Sequence, residues 1–262
     1  MRAQVSPASK LGPELSSALA RHVLTLADSK RLLGIRYSDW LLGSPSIETG
    51  IATSSMAQDE WGHARLLYAM LKDFGLDPAL IERDRQSSEY ASVDVLDAPL
   101  PDWVAVVTAI VVVDGALSAA LEELAAGSYE PARSRIPKMV AEEAFHRDLG
   151  AAWFNRLASG SPEARKRLAQ SVSAMLPRTL AWLEPSDEPY RALVASGTVV
   201  KGSAESYRAQ LGAMLQRIGV TLSSISPDRN GWDPNRARGP GHPGEEAVER
   251  ARGDLNRALL VE

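Results

Sequence analysis

Two stretches, Met56-Ala57-Gln58-Asp59-Glu60-Trp61-Gly62-His63 and Met139-Val140-Ala141-Glu142-Glu143-Ala144-Phe145-His146, decide the fold of this chain. Each ends in Glu-x-x-His, and together they use two of the four histidines present. On a helix, residues three apart project side by side, so each pair offers a carboxylate and an imidazole to one point. Two such pairs on separate helices, joined by one carboxylate from each of two more, make the ligand set of a di-iron or di-manganese four-helix bundle.

The flanking residues place both motifs on buried seams. Met56, Glu60, His63, Leu67 and Met70 follow the alternating four-three spacing of a bundle interior, and Ile136, Met139, Glu143, His146, Gly150 and Trp153 repeat it. Between the motifs, Val107, Val111, Asp114, Leu121 and Ala125 share one stripe, so Asp114 interrupts an apolar face. Before them, Asp28 lies on the stripe of Leu32 and Ile35.

Height selects among the acids. In an antiparallel hairpin, residues equally far from the turn stand level. Asp28 and Glu60 have their midpoint at 44, within the Gly43-Ser44-Pro45-Ser46 break, and Asp114 and Glu143 have theirs within Gly127–Pro131. Asp39 would be displaced along the helix by roughly 15 Å, and Glu122 or Glu123 by about 12 Å. Asp28 and Asp114 are therefore the expected ligands, with Asp39 the alternative if the first turn is longer. Carboxylates converging in an apolar interior each cost several kcal/mol unless neutralised. Two cations bridged by Glu60 and Glu143, the catalytic candidates, would neutralise them. The metal ligands expected are thus Asp28, Glu60, His63, Asp114, Glu143 and His146. The imidazole and carboxylate donors suit iron or manganese, with zinc admitted by affinity. Asp59 and Glu142 would orient the imidazoles, and Met56 and Met139, one turn away, would line the cavity.

Helix signals extend along the chain. A first helix is expected from Gly12-Pro13 to about Leu42, a second from about Pro45 to Phe74, a third from Asp102 to Ala126 and a fourth from the Gly127–Pro131 turn to about Leu157. A fifth follows Ser161-Pro162, with a kink expected at Pro177, and shorter ones lie near Tyr190 and over 204–218. Residues 76–101 read as irregular. The fold class expected is all-α, a four-helix bundle over 1–222 with additional C-terminal helices. Residues 223–262 form a Pro/Gly-rich tail, extended or disordered over 226–244, with a short amphipathic helix over 245–260. His22 and His242 are expected on the surface, and Tyr37, Trp40, Tyr68 and Trp153 in the core. Arg36, Arg65, Arg133 and Arg135 either meet phosphates of a substrate or lie on solvated faces.

Composition excludes several function classes. A net charge of −4 gives no reason to expect nucleic acid or an anionic membrane as partner. The polar residues 1–10 offer no signal-peptide core, and the apolar run Val104–Val113 is too short to span a bilayer. With zero cysteines there is no disulfide, thiol nucleophile or cysteine-ligated iron–sulfur cluster, so electrons for any redox chemistry must come from another chain. A cytoplasmic protein is expected.

Leu26-Ala27-Asp28, Arg36-Tyr37-Ser38-Asp39-Trp40, Met56 to Arg65, Val113-Asp114-Gly115-Ala116, Gly127 to Arg133 and Glu142-Glu143-Ala144-Phe145-His146 together resemble the phenylacetic acid degradation oxygenase family, over about residues 15–220. The resemblance implies a ferritin-like fold and a multicomponent enzyme that epoxidises the ring of an aromatic acyl-CoA, phenylacetyl-CoA, with O2 and electrons from a flavin/iron–sulfur reductase subunit. It also implies two related helical subunits, one catalytic with di-iron and one structural that has lost ligands. Both Glu-x-x-His motifs are those of the catalytic subunit, whereas the first helix is closer in wording to the structural one. Carried over, Glu60, His63, Asp114, Glu143 and His146 fall on ligand positions, while Asp28 sits about two residues from the first-helix acid. The reading is a di-iron oxygenase subunit partnered by a homologous helical subunit or by itself. The alternatives are a non-catalytic structural subunit and a ferritin-like iron-oxidising protein.

Overall fold

The computed structural model describes residues 11–254, together with Ala8 and Leu259. The rest of the polar N-terminal segment, and 255–260 of the expected terminal helix apart from Leu259, lie outside the described residues.

The architecture is all-α and ferritin-like, built on two helical hairpins. Gly12 stands extended before Pro13, whose fixed φ suits the first turn, and α1 runs Pro13–Ser38. It ends four residues before the expected Leu42, and turns occupy 39–43. The Ser46 hydroxyl accepts from Thr49 N at 3.2 Å and starts α2, Ile47–Met70, closing the first hairpin. Residues 76–101 carry more structure than expected, with a short α3 at Pro78–Arg83 followed by isolated 3₁₀ turns. Asp102 caps α4, Trp103–Ala126, by accepting from Ala105 N at 2.8 Å. The second hairpin is completed by α5, Glu130–Ala158.

The middle of α4, Ala109–Asp114, winds as a π-helix, a widening that leaves carbonyls free to accept other donors. Tyr207 Oη donates to Val112 O there at 2.7 Å. Gly115 permits the approach, because a Cβ on it would lie 2.7 Å from the Tyr207 ring. This helix is long and apolar enough to cross a membrane, yet 89% of its most apolar window is buried within the protein. Its apolarity serves the core.

Around the bundle pack α6 (Pro162–Leu183), α7 (Glu188–Ala195) and α8 (Ser203–Leu215). Residues 226–244, expected to be extended or disordered, carry no helix and pack against the body of the chain. Asp228 N donates to Pro177 O at 2.9 Å, and the fully buried Arg238 pairs with Asp97 and reaches Ser92 Oγ at 3.1 Å. Arg236 and Arg238, polar residues of the kind that suggested disorder, find their partners on the 84–98 segment, and Asp228 and Arg229 find theirs at Pro177 and Glu184. Beyond them α9, Glu245–Arg252, buries Ala247, Val248 and Ala251 and ends at Gly253, whose φ of 75° breaks the helix.

His22 also departs from its expected surface position. Its ring lies 5.6 Å from that of Tyr190, tilted by 52°, and its buried Nε2 has no hydrogen-bond partner. Desolvation, with Arg21 and Lys201 nearby, pushes its pKa down to about 4. His242 is exposed.

Candidate functional site

Three of the four bundle helices bring five of the six expected ligands to one level. Glu60 and His63 enter from α2, Asp114 from the end of the π-helical stretch of α4, and Glu143 and His146 from α5; each is 0–1% exposed. His146 Nδ1 lies 3.0 Å from Asp114 Oδ2, 3.3 Å from Glu60 Oε1 and 3.4 Å from Glu143 Oε2. His63 Nδ1 lies 3.1 Å from Glu143 Oε1 without alignment for a hydrogen bond.

Both imidazoles turn Nδ1 inward and Nε2 outward. His63 Nε2 meets Glu142 Oε2 at 2.9 Å, and His146 Nε2 meets Asp59 Oδ2 at 3.4 Å. Each acid comes from the opposite Glu-x-x-His helix, and both are about a third exposed. This is the orienting role expected of Asp59 and Glu142, and it leaves each Nδ1 facing the cluster.

The sixth position is taken by a residue the sequence reading passed over. Lys30, fully buried on α1, places Nζ 2.5 Å from Glu143 Oε1, 2.7 Å from Asp114 Oδ1 and 2.9 Å from Glu60 Oε1. Tyr37 Oη adds a donor to Asp114 Oδ2 at 2.9 Å, and Ser118 Oγ one to Glu143 Oε2 at 3.1 Å.

Burial and the neighbouring charges act in opposite directions on the groups of the cluster. Burial alone would push the Lys30 ammonium down, but Asp114, Glu143 and Glu60 outweigh it and hold its pKa well above the ordinary value. Burial likewise opposes the His146 imidazolium, and bonds to Asp114, Glu143 and Glu60 overcome it, raising its pKa. Among the carboxyls, desolvation with Asp114 nearby lifts Glu60 to about 8. Burial would also lift Glu143, but Lys30, His146 and His63 overcome it and hold the group well below the usual carboxylate range.

Glu60, Asp114, Glu143 and His146 could hold a metal ion, since each offers a ligand atom within 4.8 Å of the others. A pair of ions does not fit with Lys30 where it stands. Its ammonium occupies the point to which the three carboxylates converge, and it already supplies positive charge there. Nor does Asp28 join the cluster. It accepts from Arg85 through both oxygens (2.5 and 2.9 Å), from Tyr68 Oη at 2.6 Å and from Ala91 N at 2.8 Å. Asp39 pairs with Arg250 at 2.6 Å, away from the cluster.

Beside the cluster lies a cavity of about 130 Å3 between α4, α5 and α8, lined by Ile110, Val111, Leu211 and Met214 together with Asp114 and Glu143. The expected lining residues Met56 and Met139 are absent from it, being packed in the core at 0% exposure. Tyr37 and Tyr68 are buried as expected, with their hydroxyls bonded to Asp114 and Asp28, and Trp40 and Trp153 pack partly buried against the core. Arg36 meets no phosphate position, since its guanidinium donates to Leu96 O and Asp97 O; Arg65, Arg133 and Arg135 are exposed.

Lys30 carried a readable signal. Its midpoint with Glu60 is 45, inside the same turn that selected Asp28. Lys30 is a base at a position where the ligand chemistry calls for an acid.

The family model described as phenylacetic acid catabolic protein matches residues 1–240. Among curated proteins no sequence matches the chain.

Proposed function

This chain belongs to the phenylacetic acid catabolic protein family, and on that premise we propose that it is the non-catalytic helical subunit of a multicomponent oxygenase acting on an aromatic acyl-CoA such as phenylacetyl-CoA. The family places the chain in phenylacetate catabolism. The observation that carries the non-catalytic reading is Lys30, whose Nζ lies within 2.9 Å of all three converging carboxylates. An ammonium there neutralises the interior as a metal would, and offers neither an open coordination position nor a site for O2.

In this role the chain's own residues hold a frame. Lys30 ties α1 to α2, α4 and α5 through Glu60, Asp114 and Glu143, while the two imidazoles cross-link α2 and α5 through Glu142 and Asp59. The partners implied are a homologous catalytic helical subunit and a reductase, in the cytoplasm.

A second reading, a catalytic di-iron subunit, is favoured by the two inward Nδ1 atoms and the retained Glu60, His63, Asp114, Glu143 and His146. It requires the Lys30 side chain to leave the centre. The deciding experiment expresses the chain with added iron, alone and with a homologous catalytic subunit. The expected result is a metal-free, folded chain that co-purifies with that subunit and is needed for epoxidation. Close to two irons per copy of this chain would overturn it and establish the catalytic reading.

A further inference from the structure

We propose that Lys30 is the single side chain separating this cluster from a two-metal site, so that Lys30→Glu alone makes the chain bind a pair of divalent first-row ions. The proposal rests on the reading that the native chain is metal-free, and it concerns what keeps it so.

Three independent features of the cluster are those of a ligand shell. Both imidazoles present Nδ1 to the interior while an acid from another helix fixes Nε2, the arrangement by which a metal-bound histidine is oriented. Two buried atoms, Glu60 Oε2 and His63 Nδ1, have no hydrogen-bond partner, although both belong to side chains at 0–1% exposure. Buried polar atoms of this kind are ordinarily satisfied, and both can offer a lone pair to a cation. Third, the donor atoms of Glu60, Asp114, Glu143 and His146 already lie within 4.8 Å of one another.

Against these stands one ammonium. Lys30 Nζ donates to the same three carboxylates that would hold the ions. A glutamate side chain from the same Cα is one bond shorter, so its carboxylate would stop short of the present Nζ position and leave room for a cation. The charge also changes in the required direction. Carboxylates at 30, 60, 114 and 143 carry four negative charges, which balance two divalent ions, and one carboxylate from each of two helices with Glu-x-x-His from each of the others completes the set. Oxygen and imidazole donors select manganese, ferrous iron or zinc over softer-ligand metals.

The test compares the native chain with Lys30→Glu and Lys30→Met, each incubated with manganese(II), desalted, and read by bound metal, melting temperature and electron paramagnetic resonance. Lys30→Glu is expected to retain about two manganese ions per chain, to melt higher with manganese than without, and to show the spectrum of a coupled pair. Lys30→Met removes the ammonium and adds no ligand; it is expected to take up manganese with a smaller rise in melting temperature. If Lys30→Glu does not fold without metal, recovery of its helical signal on adding manganese is the equivalent positive result. A variant that folds without taking up metal, or that manganese neither loads nor refolds, overturns the proposal while leaving the non-catalytic assignment standing. Two ions on the native chain would instead remove the assignment itself.

Discussion

Asp28 and Lys30 stand two residues apart on α1, both fully buried, and their charges enter separate networks. Two residues turn a helix by about 200°, so the side chains leave nearly opposite faces. Lys30 meets the carboxylates of α2, α4 and α5, whereas Asp28 meets Arg85 and the N–H of Ala91 in the segment that leads into α4. One helix thus anchors the bundle interior and the outer loop through charges of opposite sign.

The Asp28 network is structural. Asp28→Ala leaves the Arg85 guanidinium, 12% exposed, without its carboxylate, and is expected to cost about 3–5 kcal/mol of stability. Urea unfolding of the single variants and of the double variant with Arg85→Met measures the coupling. Metal content should be unchanged throughout, and a change in it would return Asp28 to the candidate ligands.

Tyr37→Phe should be mild by comparison. It removes the hydroxyl that donates to Asp114 Oδ2, but that oxygen keeps His146 Nδ1 at 3.0 Å. With no acceptor left bare, the expected loss is about 1 kcal/mol. A loss several times larger in thermal unfolding would mean that Tyr37 holds the whole cluster together.

His22 gives stability a pH dependence. Its pKa of about 4 in the folded chain lies below the ordinary 6.5, so between those values the unfolded chain binds more protons. Stability from this group is fully present above pH 6.5 and is lost as pH falls toward 4, by at most about 3 kcal/mol. Denaturant midpoints at pH 7 and pH 4.5 should differ less in His22→Gln than in the native chain. An equal difference in the two would show that His22 is readily protonated in place.

Arg238 pins the tail. Arg238→Ala leaves Asp97, 17% exposed, without the guanidinium that burial demands and frees Ser92 Oγ. The expected cost is about 3 kcal/mol, together with faster amide exchange across 226–252. Unchanged exchange would show that α9 alone, through Ala247, Val248 and Ala251, suffices to dock the segment.

The helical class, the two hairpins and the level at which the charged residues meet are legible in the amino-acid sequence alone. Period and turn position need no tertiary information: Glu60, His63, Asp114, Glu143 and His146 lie where their spacing puts them, and Asp59 and Glu142 orient the imidazoles as adjacency suggested. On α1 the apolar pattern does not discriminate between faces. Apart from Arg31, every residue from Thr25 to Tyr37 is buried, so an apolar stripe cannot say which way Asp28 or Lys30 points. That choice followed from partners distant in sequence, Arg85 and Ala91 for one and Asp114 and Glu143 for the other. The tail shows the same limit, for Arg238 is polar in composition and buried in fact because Asp97 and Ser92 lie across from it. Periodicity reports which faces are apolar; which charges meet was decided only when the helices and loops packed, because an ion pair depends on both partners and the sequence displays each one alone.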